Sequence, residues 1–180
     1  KTSTNQCPII LWNHRWEYDK NPKEFFECLK KIKNENIDFK LIILGEEFHT
    51  EMDVFTKSRK YFSNEIIHMG YAKSFSEYAS LINKSDILPV TTKQEFFGVS
   101  VIEAIYCDVF PILPNRLTYP ELFNSDKNPD NFYQDSDDLF IKLKKCVVNN
   151  TQKSLRQYSN KYKWSKIAKD YDNIIQKVIR

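Results

Sequence analysis

Short apolar runs alternate along this chain with stretches in which apolar residues recur every three or four positions. The runs at Ile9–Trp12, Lys40–Leu44, 66–69, 87–91 and 110–113 are almost wholly apolar and bounded by turn or cap residues, so they read as strands buried on both faces. Between them, Pro22–Asn34, 53–62, 74–83 and a segment starting at Val99 carry helical spacing. This alternation predicts βαβ units and a parallel sheet. A short segment at Tyr119–Phe123 and a strand near Phe132 follow, and the last third is helical over 138–148, 154–162 and 164–179. In the final helix Trp164, Ile167, Ala168, Tyr171, Ile174, Ile175 and Val178 keep one stripe. The expected fold is α/β, a Rossmann-like three-layer sandwich with a mostly parallel sheet and a helical C-terminal tail.

At 180 residues and 41% apolar content, the chain is long enough for one domain with its own core. A polar leader without an initiator Met is read as a linker or edge at 1–7, the domain as 8–163, and the last helix as 164–180. No apolar run approaches about 18 residues and no signal-peptide pattern is present, so the expectation is a soluble, cytoplasmic protein with no membrane partner. Cys7, Cys28, Cys107 and Cys146 lie far apart and read as reduced structural thiols. His14, His49 and His68 share no ligand spacing, so no metal site is expected. Asp135-Ser136-Asp137 has the D-x-D form of a metal motif, but it precedes the stripe Leu139, Phe140, Leu143 and Val147; capping and the helix dipole explain it. The absence of a G-x-G-x-x-G or Walker-type loop disfavours a nicotinamide enzyme or a P-loop NTPase.

The most informative residues run from Glu95 through Phe96, Phe97, Gly98 and Val99 to Glu103, two carboxylates eight positions apart around a strand-to-helix turn. With a helix beginning near Gly98, Glu95 sits beyond its positive end and Glu103 more than a turn inside. The separation is then roughly 10–13 Å, at about 1.5 Å per helical residue plus the extended turn. That span is comparable to the distance from a ribose to a hexose across a diphosphate. Ionised Glu only accepts hydrogen bonds and so suits sugar hydroxyls, while the helix N-terminus suits the phosphates. The plainer alternative makes Glu95 a helix-start acid and Glu103 a solvated or core-paired residue. After the first strand, Arg15 and Lys20 stand where both can reach one anion; alternatively they pair with Glu17 and Asp19. The only three glycines, Gly45, Gly70 and Gly98, each come at or just after the C-terminal end of an expected strand, the edge where open α/β sheets bind ligands.

Together these segments resemble the C-terminal, nucleotide-binding domain of retaining GT-B glycosyltransferases of family four. That family carries an Arg and a Lys after the first strand and E-x7-E after the fourth, matched here by Arg15, Lys20, Glu95 and Glu103. Thr92 stands where a small hydroxyl residue is common. The runs 14–22, 95–99, 103–107 and 119–123 are similar to the tRNA-queuosine alpha-mannosyltransferase subfamily. The resemblance implies GDP-mannose as donor, queuosine in tRNA as acceptor, retention at the anomeric carbon, and neither metal nor other cofactor. It makes Arg15, Lys20 and Glu95 catalytic, with Arg15 and Lys20 on the diphosphate, Glu95 on the transferred sugar and Glu103 on the ribose. Gly70 and Tyr71 lie near the base, and Thr92, Phe97, Gly98 and Val99 complete the donor contacts. It also implies an N-terminal acceptor domain of the same protein, absent from this chain, without which the domain binds donor but does not turn over. Two departures stand out: Asn13-His14 where many relatives have a glycine before the Arg, and Asp108 in place of a glycine.

Charge is unevenly spread. Residues 139–180 hold 11 basic and 2 acidic residues, whereas residues 1–138 hold 16 and 22. This permits a second reading, a nucleic-acid-binding or interaction module with a vestigial nucleotide pocket, and a solvated lysine surface is the simplest account. For contact with tRNA the candidates are Lys142, Lys145, Arg156, Lys161, Lys163 and Lys166. A sugar-nucleotide epimerase is a third possibility, for which no acid/base pair is assignable.

Overall fold

The computed structural model describes residues 7–46, 53–149 and 154–179; most of the expected 1–7 linker and His49 lie outside them. Among these residues six strands form one sheet: β1 (Ile9–Trp12), β2 (Lys40–Leu44), β3 (Ile66–Gly70), β4 (Ile87–Pro89), β5 (Phe110–Pro114) and β6 (Phe132–Tyr133). Their order is β3-β2-β1-β4-β5-β6, and every pairing is parallel. The helices are α1 (Pro22–Asn34), α2 (Asp53–Tyr61), α3 (Phe75–Lys84), α4 (Val99–Tyr106), α5 (Tyr119–Phe123), α6 (Ser136–Asn149), α7 (Arg156–Ser159) and α8 (Trp164–Val178).

Alternation of side chains along each strand divides the core in two. Ile10, Trp12, Leu41 and Ile43 face Phe25, Phe26 and Leu29 of α1, Phe55 of α2, and Leu139 and Leu143 of α6. Ile9, Leu11, Ile42 and Leu44 face Leu81 and Ile82 of α3, Val101 and Ile105 of α4, and Tyr119 and Phe123 of α5. A sheet buried on both sides requires such continuous apolar strands, which is why the pattern is legible. The order of the strands reverses between β1 and β4. The loop leaving β1 enters α1 on one face while the loop leaving β4 leads to α4 on the other, so the two diverge and leave a crevice at the carboxyl ends.

Several boundaries differ from expectation for identifiable reasons. β4 ends at Pro89 rather than at 91, because the Thr91 hydroxyl turns to the carbonyls of Lys20 and Asn21, at 3.0 and 3.1 Å. α6 starts two residues early because Asp135 Oδ1 accepts from the amides of Asp137 and Asp138, at 3.0 and 2.9 Å. That capping is the D-x-D motif's role in this fold. The expected helix over 154–162 is instead a single α-turn followed by a 3-10 turn, Asn160–Tyr162. α8 forms with its stripe intact, yet none of its residues is buried.

Asp108, the residue in place of a glycine, does adopt a left-handed conformation, with φ of +61°. Its carboxylate accepts from Ser154 Oγ at 2.6 Å and from the Arg156 guanidinium at 3.0 Å, tying the chain before α7 to the turn after α4. Asp tolerates this conformation better than most side chains do. Asp108→Gly should therefore keep the turn and lose only the tie, whereas Asp108→Ala should lose the tie and strain the backbone. In urea titrations the Ala variant is expected to be about 1 kcal/mol less stable than the Gly variant.

Candidate functional site

The crevice is built by clasping the loop after β1 to the loop after β4. Thr92 is fully buried, and its hydroxyl lies 3.1 Å from the Asp19 carbonyl and 2.9 Å from that of Gln94. The Lys93 amide donates to the same Asp19 carbonyl at 2.7 Å. Lys20, 8% exposed, extends its ammonium to Asp19 Oδ2 at 3.0 Å, the Gln94 carbonyl at 3.1 Å and Glu95 Oε2 at 3.5 Å. Thr92, expected among the donor contacts, here uses its hydroxyl to brace the two loops.

Glu95 is held from both sides. Its Oε1 accepts from the amides of Phe96 and Phe97, at 3.1 and 3.3 Å, and its Oε2 faces Lys20. Burial acts to raise its pKa, but Lys20 and the amides of Phe97, Gly98 and Phe96 outweigh that, and the group lies below its ordinary value. Glu95 is thus an anion at neutral pH. Gly98 follows as the residue preceding α4, with φ of +79°, and a Cβ there would stand 3.2 Å from the Tyr119 ring. Such a turn favours glycine. The first amides of α4 have no partner within the helix and open at this turn. Phe97 packs edge-on against Tyr162 with centroids 4.9 Å apart, and Val99 is exposed.

Beside this cluster lies a cleft of about 490 Å³ lined by Asn13, His14, Arg15, Gly45, Tyr71, Tyr78 and Glu103, among others. The structure therefore brings Arg15, Tyr71 and Glu103 together, next to Gly70, and sets Lys20 and Glu95 in the adjoining cluster. Arg15 is exposed and pairs with Glu17 at 3.1 Å, so the two basic residues of this loop each hold a nearby acid, Glu17 and Asp19 respectively. Glu103 Oε2 accepts from Tyr78 Oη at 2.7 Å, leaving the other oxygen open. Burial, and then the bond to Glu103, raise the Tyr78 phenol, which keeps its proton and its role as donor. At the head of the cleft, a Cβ on Gly45 would meet the His14 carbonyl at 2.6 Å, so β1 and β2 deliver their loops in direct backbone contact.

Tyr78 and His14 are the residues that sequence reasoning missed. Tyr78 lies within the segment read only as a helix, and nothing in the sequence joins it to Glu103. His14 was visible only as a departure from glycine. It is buried, with Nδ1 3.1 Å from Ser100 Oγ in the first turn of α4 and Nε2 without a hydrogen-bond partner. Its neighbour Asn13 donates to the Ser100 carbonyl at 2.7 Å. The pair thereby locks the end of β1 to the start of α4.

Of the six basic candidates for a polyanion surface, three have acidic partners within this domain. Lys142 approaches Asp138 at 3.9 Å, Lys145 approaches Asp130 at 3.6 Å and Arg156 bonds Asp108. Lys161 and Lys163 lie over the rings of Tyr162 and Tyr106 instead.

A model of the family described as "Glycosyl transferases group 1" matches residues 2–164. The chain is 34% identical over 138 residues to a tRNA-queuosine alpha-mannosyltransferase of Drosophila melanogaster, covering 77% of this chain and 35% of that protein. It is 21% identical over 179 residues to a GDP-mannose:cellobiosyl-diphosphopolyprenol alpha-mannosyltransferase of Komagataeibacter xylinus, covering 94% of this chain and 45% of that protein. The chain thus spans less than half the length of these relatives. Among solved structures it resembles the pneumococcal O-GlcNAc transferase GtfA in complex with UDP and GlcNAc, with TM-score 0.77, 14% identity, and coverage of 99% of this chain and 38% of that one. It also resembles the C-terminal domain of a group 1 glycosyl transferase (LpcC) from Francisella tularensis, with TM-score 0.65, 19% identity, and coverage of 93% and 87% respectively.

His14 provides a measurable signature of this site's burial. Its pKa is lowered from 6.5 to about 4, first by burial and then by Lys20. Between these values the unfolded chain takes up a proton that the folded chain does not, so acidification from pH 6.5 toward 4 should erode stability by about 1.4 kcal/mol per unit from this group. Urea titrations across that range should show a shallower pH dependence in His14→Gln, by about one proton. An unchanged slope would mean that His14 titrates as an exposed imidazole.

Proposed function

This chain belongs to the group 1 glycosyl transferases, and from that premise we propose that it is the donor-binding half of a retaining enzyme that transfers mannose from GDP-mannose to queuosine in tRNA. The observation that carries the reading is a cleft lined by Arg15, Tyr71 and Glu103 at the sheet's switch point, adjoined by the Lys20–Glu95 cluster at the turn that opens α4. The relative of 34% identity supplies the direction toward mannose and queuosine. In this reading the ribose hydroxyls donate to the free oxygen of Glu103, which Tyr78 holds in place, and the base lies toward Gly70 and Tyr71. The diphosphate faces the start of α4, with Arg15 leaving Glu17 to meet it and Lys20 reaching it from below. Glu95 receives hydroxyls of the hexose.

The chemistry follows from charge. Cleavage of the sugar–phosphate bond builds negative charge on the leaving diphosphate. Cations and oriented amides already in position stabilise that change without having to reorganise, so Arg15 and Lys20 serve rate as well as binding. No metal is required in this scheme. Acceptor groups come from an N-terminal domain of the same protein. The tRNA acceptor sets the site of action in the cytoplasm, and no helix among the described residues is long and apolar enough to cross a membrane.

Calorimetry with GDP and GDP-mannose tests the donor assignments. Glu103→Gln should weaken both ligands by about 1.5–3 kcal/mol, the cost of one charge-assisted hydrogen bond. Glu95→Gln should weaken GDP-mannose more than GDP, and equal losses would reduce Glu95 to a turn-shaping residue.

The tRNA assignment is tested on the basic positions without an acidic partner described above. Reversing Lys161, Lys163 and Lys166 to Glu in the full-length enzyme should lower tRNA affinity and flatten its salt dependence by about 1 in log–log slope per lost phosphate contact. GDP affinity should be unchanged. A tRNA affinity and salt slope that survive the triple reversal would confine acceptor binding to the other domain.

A further inference from the structure

The donor reading fixes a direction along the crevice: the nucleotide fills the Glu103 end and the hexose stands at the Glu95 end. Any acceptor must reach the hexose, so it arrives beyond Glu95. The surface there has an unusual composition. Phe96, next to Glu95, is 97% exposed, and its neighbour Phe97, in edge contact with Tyr162, is 39% exposed. Tyr18 is 75% exposed and precedes Asp19, whose carbonyl takes part in the clasp between the two loops. The Lys93 ammonium lies 4.5 Å from the centroid of the Tyr18 ring and 3.4 Å from its hydroxyl.

Solitary exposed apolar side chains are common and need no account. Here two flat rings and a cation are carried by the two loops that form the reactive end of the site. Of the nearby acids, Asp19 is paired with Lys20. The loops are also braced from within, through Thr92 and the Lys93 amide, so the rings are presented on a fixed frame. Rings of this kind bind unpaired bases by stacking, and an adjacent Lys binds the phosphate that accompanies the base.

We propose that Phe96 and the Tyr18–Lys93 pair form an acceptor contact on this donor-binding half, a platform on which an unpaired base of the RNA acceptor stacks while Lys93 meets its phosphate. This rests on the transferase reading above and adds to it the side of the domain that touches RNA. It also separates two RNA contacts: a sequence-tolerant stacking contact at the reactive end, and the basic positions of the C-terminal third.

The test uses the full-length protein with tRNA bearing queuosine and GDP-mannose. Phe96→Ala and Tyr18→Ala should each raise the KM for tRNA about tenfold while GDP affinity, measured by calorimetry, stays within twofold. Phe96→Trp should keep the KM of the parent, since a larger flat ring still stacks. Lys93→Gln should reduce the log–log salt slope of tRNA binding by about 1. An unchanged tRNA KM in both alanine variants overturns the proposal. So does a Phe96→Trp variant as impaired as the alanine, or a loss of GDP affinity in step with that of tRNA, which would make Phe96 part of the donor turn. Failure of the parent protein to bind GDP or GDP-mannose at all would instead strike the transferase reading.

Discussion

A buried ammonium has to be surrounded by acceptors, and the satisfaction of Lys20 organises the whole reactive end of this domain. Its three partners come from its own loop, from the backbone at Gln94 and from Glu95. Meeting that demand draws the segment after β1 across the switch point onto the segment after β4. Thr91 and Thr92 complete the clasp from beneath. The position of Glu95 and the entry angle of α4 follow from it, and the anion-seeking amides of α4 follow from both. The same charge helps to keep His14 neutral. A single cation thus serves as a loop tie, as a counter-charge to a carboxylate, and as an electrostatic bias on its neighbours.

Fold and site were unequally legible in the sequence. The strands could be read because a doubly covered parallel sheet demands uninterrupted apolar runs, and the βαβ beat then implied the sheet's character. The strand order could not be read, yet it creates the crevice by sending α1 and α4 to opposite faces. Glu95 and Glu103 announced themselves through their spacing around Gly98. Tyr78 did not, because its hydroxyl matters only through a contact 25 residues away in the chain. The bracing role of Thr92 was not legible for a related reason, since a hydroxyl near a site can serve the backbone as readily as a ligand. The helix expected over 154–162 starts only at Arg156, where the Asp108 tie holds Ser154 and Arg156, a contact set by a residue far upstream.

The charge asymmetry also changes meaning in three dimensions. On paper the last third is a block of positive charge, but several of its lysines and Arg156 meet acids from the more acidic part of the chain. Lys144 with Glu35, at the end of α1, and Lys145 with Asp130 are two such bridges. Exposed bridges of this kind contribute little each to stability. Their effect is to reduce the field that a polyanion would sense and to concentrate it on the few cations beyond α7. Sequence-level charge counts therefore overstate the interacting surface.

Glu95 satisfies Oε1 with the amides of its own turn and Oε2 with Lys20, so its shape-giving and charge-giving roles are the same set of bonds. Removing this carboxylate would therefore release the turn and strip Lys20 of a partner in the same step, so that no change at position 95 can alter charge while sparing shape.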